Sequence, residues 1–273
     1  MTKFEEFFEV VFEDHFREIG VGQALIAPDR FSRILGNWKC LMPGQLSPLD
    51  RWVGKKLWRR LLKNGWESEH VNKENFEIFL KLACLVERPS IVETGSSCRG
   101  VKSSHLFAKW SKYFGGSFVT IDNDPDVSGL VRSDLSTFFP KNQFEVIQGD
   151  SVEYLKNSGE TYNVAYLDSY DLSPGSFNEA AEHGLSEFIQ LVPRLDSAFS
   201  VILIDDTPVN EDIAVQMGLD KDQVSEYMLA NRGRLPGKGS LVRDHIRGDH
   251  RFKLLRWNYQ MLISYSDRVS SSP

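Results

Sequence analysis

Pro89-Ser90-Ile91-Val92-Glu93-Thr94-Gly95-Ser96-Ser97-Cys98-Arg99-Gly100 is the stretch whose reading decides the fold. Ile91 and Val92 form a short apolar run that closes on an acid, Glu93, and then on Gly95. Past the loop, Val101, Leu106, Ala108 and Trp110 lie among Lys and Ser in a helical pattern. Strand, tight turn and helix in that order open a nucleotide-binding βαβ unit. Glycine lets the chain turn sharply and approach a ligand, and the start of the helix offers unpaired N–H groups. Ser97 stands where a dinucleotide fingerprint needs its second glycine, and no Gly-Lys-Ser/Thr follows, so neither that fingerprint nor a phosphate-cradling loop is present.

Downstream, strands alternate with helices, which predicts a mainly parallel sheet covered on both faces. Expected strands at Ser117–Ile121, Phe144–Ile147, Asn163–Leu167 and Val201–Ile204 run into Asp122-Asn123-Asp124, Gly149-Asp150-Ser151, Asp168-Ser169-Tyr170-Asp171 and Asp205-Asp206-Thr207. Phe177–Leu191 reads as a long amphipathic helix. An insert from Glu211 to Arg234 is expected to be helical around Val224–Ala230, followed by Gly237-Lys238-Gly239 and a short helix, Ser240–Ile246. Strands Phe252–Trp257 and Tyr259–Tyr265, turning at Asn258, end the sheet.

Open α/β sheets bind ligands beyond the carboxyl ends of their strands, so these acids converge on one rim. Asp122, closing the second strand, is placed to accept hydrogen bonds from ribose hydroxyls, while Asp124 fits the cap of the helix beginning at Pro125. Asp168, Asp205 and Asp206 offer hard oxygen donors from two adjacent strands, with no Cys or His beside them, which suits Mg²⁺. The other reading of these three is helix capping without a metal.

The first loop, with Glu93, Gly95, Arg99-Gly100 and Ser103-Ser104, resembles the first motif of class I S-adenosylmethionine-dependent methyltransferases, written roughly E-x-G-x-x-x-G-x-S, with the second glycine one place later than in the commonest form. Asp168 with the Asp205-Asp206 pair resembles the metal site of divalent-cation-dependent O-methyltransferases of the catechol and cephalosporin-hydroxylase-like types. The pair departs from the catechol type in being Asp-Asp, and Asp171 stands where that type carries a lysine. The resemblance spans Pro89 to Tyr265 and implies a Rossmann-like sheet with an antiparallel last strand. It implies a cofactor site of Glu93, Thr94, Gly95, Ser96, Arg99, Gly100, Ser103, Asp122, Asn123, Asp150, Ser151 and Asp168. Glu93 would lie near the cofactor's amino group and Asp150 near the adenine amine, although Asp150 also reads as the cap of the helix from Val152. The resemblance further implies Mg²⁺ on Asp168, Asp205 and Asp206, and methylation of a small-molecule hydroxyl. Asp168, His105 and Lys238 are the candidate catalytic residues. His105 and His183 are candidate proton acceptors that read more readily as helix-surface or core histidines, and Lys238 reads as a contact for an acidic substrate group or as a solvated side chain.

The 273-residue chain has 41% hydrophobic and 26% charged residues and a net charge of −6, which is ordinary for a globular protein and argues against general nucleic-acid binding. Cys40, Cys84 and Cys98 include no C-x-x-C pair, which points to a reducing compartment. No basic-then-apolar leader and no bilayer-length apolar run is visible, so a cytoplasmic protein without membrane contact is expected. Residues 1–88 read as helical, a cap or oligomerisation extension that could join two copies into a homodimer. Phe4, Phe8, Val11, Phe12, Phe16 and Ile19 form one face there, a basic helix carries Trp52, Trp58 and Trp66, and a third helix runs over Lys73–Val86. Residues 89–266 form the cofactor domain and 267–273 a flexible tail.

Two other classes fit parts of the pattern. A non-catalytic methyltransferase-like module would bind cofactor or a partner only. A serine hydrolase would use Ser97, Asp205 and His245, but Arg99 breaks the G-x-S-x-G elbow.

Overall fold

A computed structural model describes residues 3–17, 72–86, 88–97, 102–140, 143–173 and 175–267. The chain divides into two compact units, Met1–Phe12 with Val71–Pro273, and Glu13–His70. Of the second unit only residues 13–17 are described; they are helical, with Arg17 paired to Asp14.

In the first unit α1 (Lys3–Glu6) runs into a π-helical turn, Phe7–Phe12. Then come α2 (Lys73–Ala83), β1 (Ser90–Thr94), α3 (Ser103–Phe114), β2 (Ser117–Asp122), α4 (Pro125–Phe138), β3 (Glu145–Gln148) and α5 (Ser151–Asn157). β4 (Val164–Leu167), α6 (Phe177–Leu191), β5 (Ser200–Ile204), α7 (Glu211–Gln216), α8 (Lys221–Ala230), α9 (Ser240–His245), β6 (Phe252–Trp257) and β7 (Met261–Tyr265) complete it. One sheet holds all seven strands in the order β3-β2-β1-β4-β5-β7-β6. β1 to β5 pair in parallel, and β7 is antiparallel to both β5 and β6.

The central strands are buried on both faces and are mostly apolar; every residue of β4 and β5 is buried. On one face Phe107 of α3 packs against Phe76, Phe79, Phe118 and Tyr166, and Phe7 against Tyr113 and Phe114. Phe8 and Phe12 of the expected phenylalanine stripe are buried, as is Phe7 beside them, while Phe4 is exposed. Elsewhere α6 lays Phe177, Ala180, Ala181, Gly184, Phe188 and Leu191 inward. Gly184 is needed for contact: a Cβ there would lie 2.3 Å from the Lys238 carbonyl oxygen, so α6 presses directly on the Gly-Lys-Gly turn.

Element boundaries differ from expectation where turns compete. α2 stops at Ala83, because Leu85 and Val86 bond back to Leu82 and Ala83 as turns. The insert holds two helices, capped by Asn210 and Asp220 through their side chains. β7 begins at Met261, since Asn258 Oδ1 accepts from the Tyr259 and Gln260 N–H groups and closes a turn first. The tryptophan-bearing basic helix lies outside the described residues.

Candidate active site at the carboxyl edge of the sheet

The strand order reverses between β1 and β4, and the loops leaving these strands meet there. Gly95 adopts φ +79°, and the Asp168 N–H donates to the Thr94 carbonyl at 2.9 Å. From β2, the Ile121 carbonyl accepts the Gly95 N–H at 2.8 Å. Asp122 braces the loops after β1 and β2: Oδ2 accepts the Ser96 N–H at 2.9 Å and Oδ1 the Asp124 N–H at 2.8 Å. Asp122 is half-buried, and burial is the main reason its carboxyl is raised from the usual range. Asn123 is exposed beside it. Asp124 caps α4 by accepting from Asp126 and Val127 N–H, as its sequence position predicts. Asp150 caps α5 through the Glu153 N–H at 2.8 Å while remaining exposed, and Ser151 is buried behind it.

Glu93 corrects the expectation that it faces the cofactor. Its side chain is fully buried, accepting from Ser103 Oγ at 2.5 Å and Ser104 Oγ at 2.6 Å; Ser104 Oγ in turn accepts the Ser97 N–H at 2.9 Å. Burial pushes the Glu93 carboxyl up to about 7, against the pull of these hydroxyls. Glu93 and Ser103 therefore tie β1 to the start of α3. Thr94, on the opposite side of β1, keeps a buried hydroxyl with no partner among the described residues. Arg99 and Gly100 lie outside the described residues.

At the ends of β4 and β5 a second group forms around three carboxylates. Tyr166 donates to Asp205 Oδ2 at 2.5 Å and to Asp168 Oδ2 at 3.1 Å. Gln260 Nε2 donates to Asp205 Oδ1 at 2.9 Å, which also accepts the Asp206 N–H at 2.9 Å. Tyr259 donates to Asp206 Oδ1 at 2.9 Å. Lys238 Nζ lies 2.6 Å from Asp168 Oδ1, 2.9 Å from Asp206 Oδ2 and 3.1 Å from the Asp168 carbonyl oxygen. Lys238 is therefore neither solvated nor turned to a substrate group: its side chain is only 3% exposed.

Burial holds the Asp168 carboxyl well above the usual range, with Lys238 opposing. Burial likewise raises Asp205, aided by Asp206. For Lys238 burial alone would lower the ammonium, but Asp168, Asp206 and Asp205 override it and hold it charged.

The three aspartates do converge, but their arrangement does not fit a divalent ion. Each of their six carboxylate oxygens already lies within hydrogen-bond reach of a protein donor, two of them sharing the single Tyr166 proton, and a lysine ammonium lies between Asp168 and Asp206. Among the described residues no group of three or more His, Cys, Asp or Glu side chains is set to hold a metal. His105 is also displaced from the expected role. It turns toward α4, its Nε2 3.8 Å from Asp134 Oδ2, and burial with Lys102 lowers its basicity.

A polar group flanks Asp168 in the same loop. Ser169 Oγ donates to Glu187 Oε1 at 2.5 Å and meets His183 Nε2 at 2.8 Å; Ser151 Oγ lies 3.4 Å from the same nitrogen. Glu187 is 1% exposed, and its hydrogen bond is the main reason His183 is raised. No hydrolase triad forms: Asp205 is held by Tyr166 and Gln260, and His245 stands edge-on to Phe188 at 6.1 Å.

Tyr166, Tyr259, Gln260 and Glu187 escape the sequence reading. Tyr166 reads as one more apolar residue of β4, and Tyr259-Gln260 as hairpin. Glu187 did leave a signal: it lies three residues after Gly184 and one before Phe188, a charge on the inward stripe of α6.

No family model matches the sequence, and no curated protein matches it. Among solved structures, a candidate caffeoyl-CoA O-methyltransferase of Staphylococcus aureus aligns at 16% identity over 82% of this chain and 94% of its own, with a TM-score of 0.50. A candidate O-methyltransferase of Klebsiella pneumoniae aligns at 13% identity over 83% of this chain and 100% of its own, with a TM-score of 0.49. A Podospora anserina methyltransferase with S-adenosylhomocysteine bound aligns at 14% over 79% and 87%, also at 0.49. At these identities the likeness concerns the fold. The fold is the Rossmann-like class I methyltransferase sheet with an antiparallel last strand.

Proposed function

We propose that this protein is an S-adenosylmethionine-dependent methyltransferase acting on a hydroxyl of a small molecule. The observation that carries the reading is the constellation of Gly95, Asp122 and Asp168 at the strand-order reversal. A glycine turn there leaves room for a ligand, and a half-buried carboxylate at the end of β2 is already oriented by two backbone N–H groups. Thr94, the residue before Gly95, adds a buried hydroxyl with no partner among the described residues, a polar atom that a ligand would satisfy.

When bound, the cofactor supplies a methyl group on a sulfonium, which is electrophilic without further activation. The protein's task is then alignment. Asp122 would accept from the ribose hydroxyls, Asp150 and Ser151 would border the base, and the loop after Gly95 would wrap the amino-acid end. Asp168 and Asp206 keep 20% and 22% of their side chains exposed at the rim, where an acceptor hydroxyl can hydrogen-bond. On transfer the acceptor's O–H bond would break with its proton passing to one of these carboxylates, and its oxygen would bond the methyl carbon as that carbon's bond to sulfur breaks and S-adenosylhomocysteine leaves. Burial raises the basicity of Asp168, which suits it to receive that proton. The net charge of −6 favours a neutral or cationic acceptor over a polyanion.

The test is a panel assay with methyl-labelled S-adenosylmethionine and phenols, catechols, aliphatic alcohols and hydroxy acids. Acceptor-dependent release of S-adenosylhomocysteine and a labelled ether or ester supports the reading. Cofactor binding with no transfer to any acceptor favours the binding-module alternative.

A further inference from the structure

The lysine of the Gly-Lys-Gly turn occupies the position in which the strand-end acids call for a metal. Its ammonium touches Asp168 at two oxygens and Asp206 at one, all within 3.1 Å. The turn that carries it is fixed independently of those contacts. The Lys238 N–H donates to the Asp206 carbonyl at 3.1 Å, and the Gly239 N–H donates to Thr207 Oγ1 at 3.0 Å. From the far side α6 closes on it, leaving no room for a side chain at Gly184. The lysine backbone is thus held between the loop after β5 and α6.

We propose that Lys238 is the resident counter-cation of the Asp168–Asp205–Asp206 cluster, and that the site takes no divalent metal. Three crowded carboxylates, Asp205 buried and Asp168 and Asp206 partly so, repel one another unless a cation offsets them. An ammonium held in van der Waals enclosure does this permanently, at the cost of its own dehydration, which the ion pairs and the carbonyl contact offset. A divalent ion bridging Asp168 and Asp206 would have to sit against that ammonium, and the repulsion between the two cations opposes entry. Asp205 offers no alternative, because Tyr166, Gln260 and the Asp206 N–H already use both of its oxygens. This inference depends on the lysine–carboxylate geometry alone and stands apart from the methyl-transfer reading.

Mn²⁺ binding to the full-length protein, followed by electron paramagnetic resonance of the free ion, tests it directly, with melting curves in added MgCl₂ alongside. The wild type should bind no stoichiometric Mn²⁺, and its melting temperature should not rise with Mg²⁺. Lys238→Met keeps the aliphatic stem and removes the charge. It should melt lower than the wild type, bind Mn²⁺ at least about tenfold more tightly, and recover stability with Mg²⁺. One Mn²⁺ per chain in the wild type, lost in Asp168→Asn, would overturn the proposal. So would a Lys238→Met protein as stable as the wild type with no gain in Mn²⁺ affinity. If that variant does not fold, the wild-type titration decides alone, since one bound Mn²⁺ contradicts the proposal and none upholds it.

Discussion

Gly95 and Asp168 meet backbone to backbone: a Cβ on Gly95 would fall 2.5 Å from the Asp168 carbonyl oxygen. This contact couples the first loop of the sheet to the acid cluster at the end of β4. It also explains why the loop needs glycine twice over, for space and for its left-handed φ of +79°.

Gly95→Ala should therefore destabilise the protein by at least about 2 kcal/mol, combining backbone strain with overpacking against a main chain that cannot rotate away. Denaturant unfolding measures this. A change below about half a kcal/mol would mean that the two loops part easily, contrary to the packing.

Glu93 makes stability depend on pH. Its folded carboxyl is raised from 4.5 to about 7, so the folded state holds that proton more tightly than the unfolded chain. The contribution is complete below the unfolded value and is lost as pH rises through the folded one. The loss amounts to about 3 kcal/mol. Glu93→Gln removes the ionisation, so its stability relative to wild type should improve steadily between about pH 5 and pH 8. Parallel stability-versus-pH curves for the two proteins would refute the assignment.

His183 owes its raised basicity first to the Glu187 hydrogen bond, with burial acting in the opposite direction. In Glu187→Gln the opposing influence should prevail and the imidazole should titrate at lower pH than in the wild type. Proton NMR of the ring follows the titration. A midpoint that does not move would separate His183 from Glu187 electrostatically.

What the sequence made legible follows from how local its signals are. Ile91-Val92 closing on Gly95 is a strand-turn signature complete within a few residues, and the strand-end acids each followed an apolar run. Asp124 was readable as a cap because capping involves only the next helical turn. Lys238 and Gln260 were different. Their partners, Asp168 and Asp205, lie 70 and 55 residues away, and nothing near either residue reports that distance. The metal expectation counted carboxylates correctly but could not see which cation the fold would bring to them. Glu93 misled for the opposite reason: its partners Ser103 and Ser104 were near in sequence, yet a motif acid reads as ligand-facing until its burial is known.

Calorimetric titration with S-adenosylhomocysteine, the demethylated product, probes whether the Asp122 edge of this sheet holds S-adenosylmethionine. The wild type should bind one S-adenosylhomocysteine per chain. Asp122→Ala should bind about 5- to 100-fold more weakly, as loss of charge-assisted hydrogen bonds worth about 1–3 kcal/mol requires. No binding to the wild type, or equal affinity in the two proteins, would contradict the account.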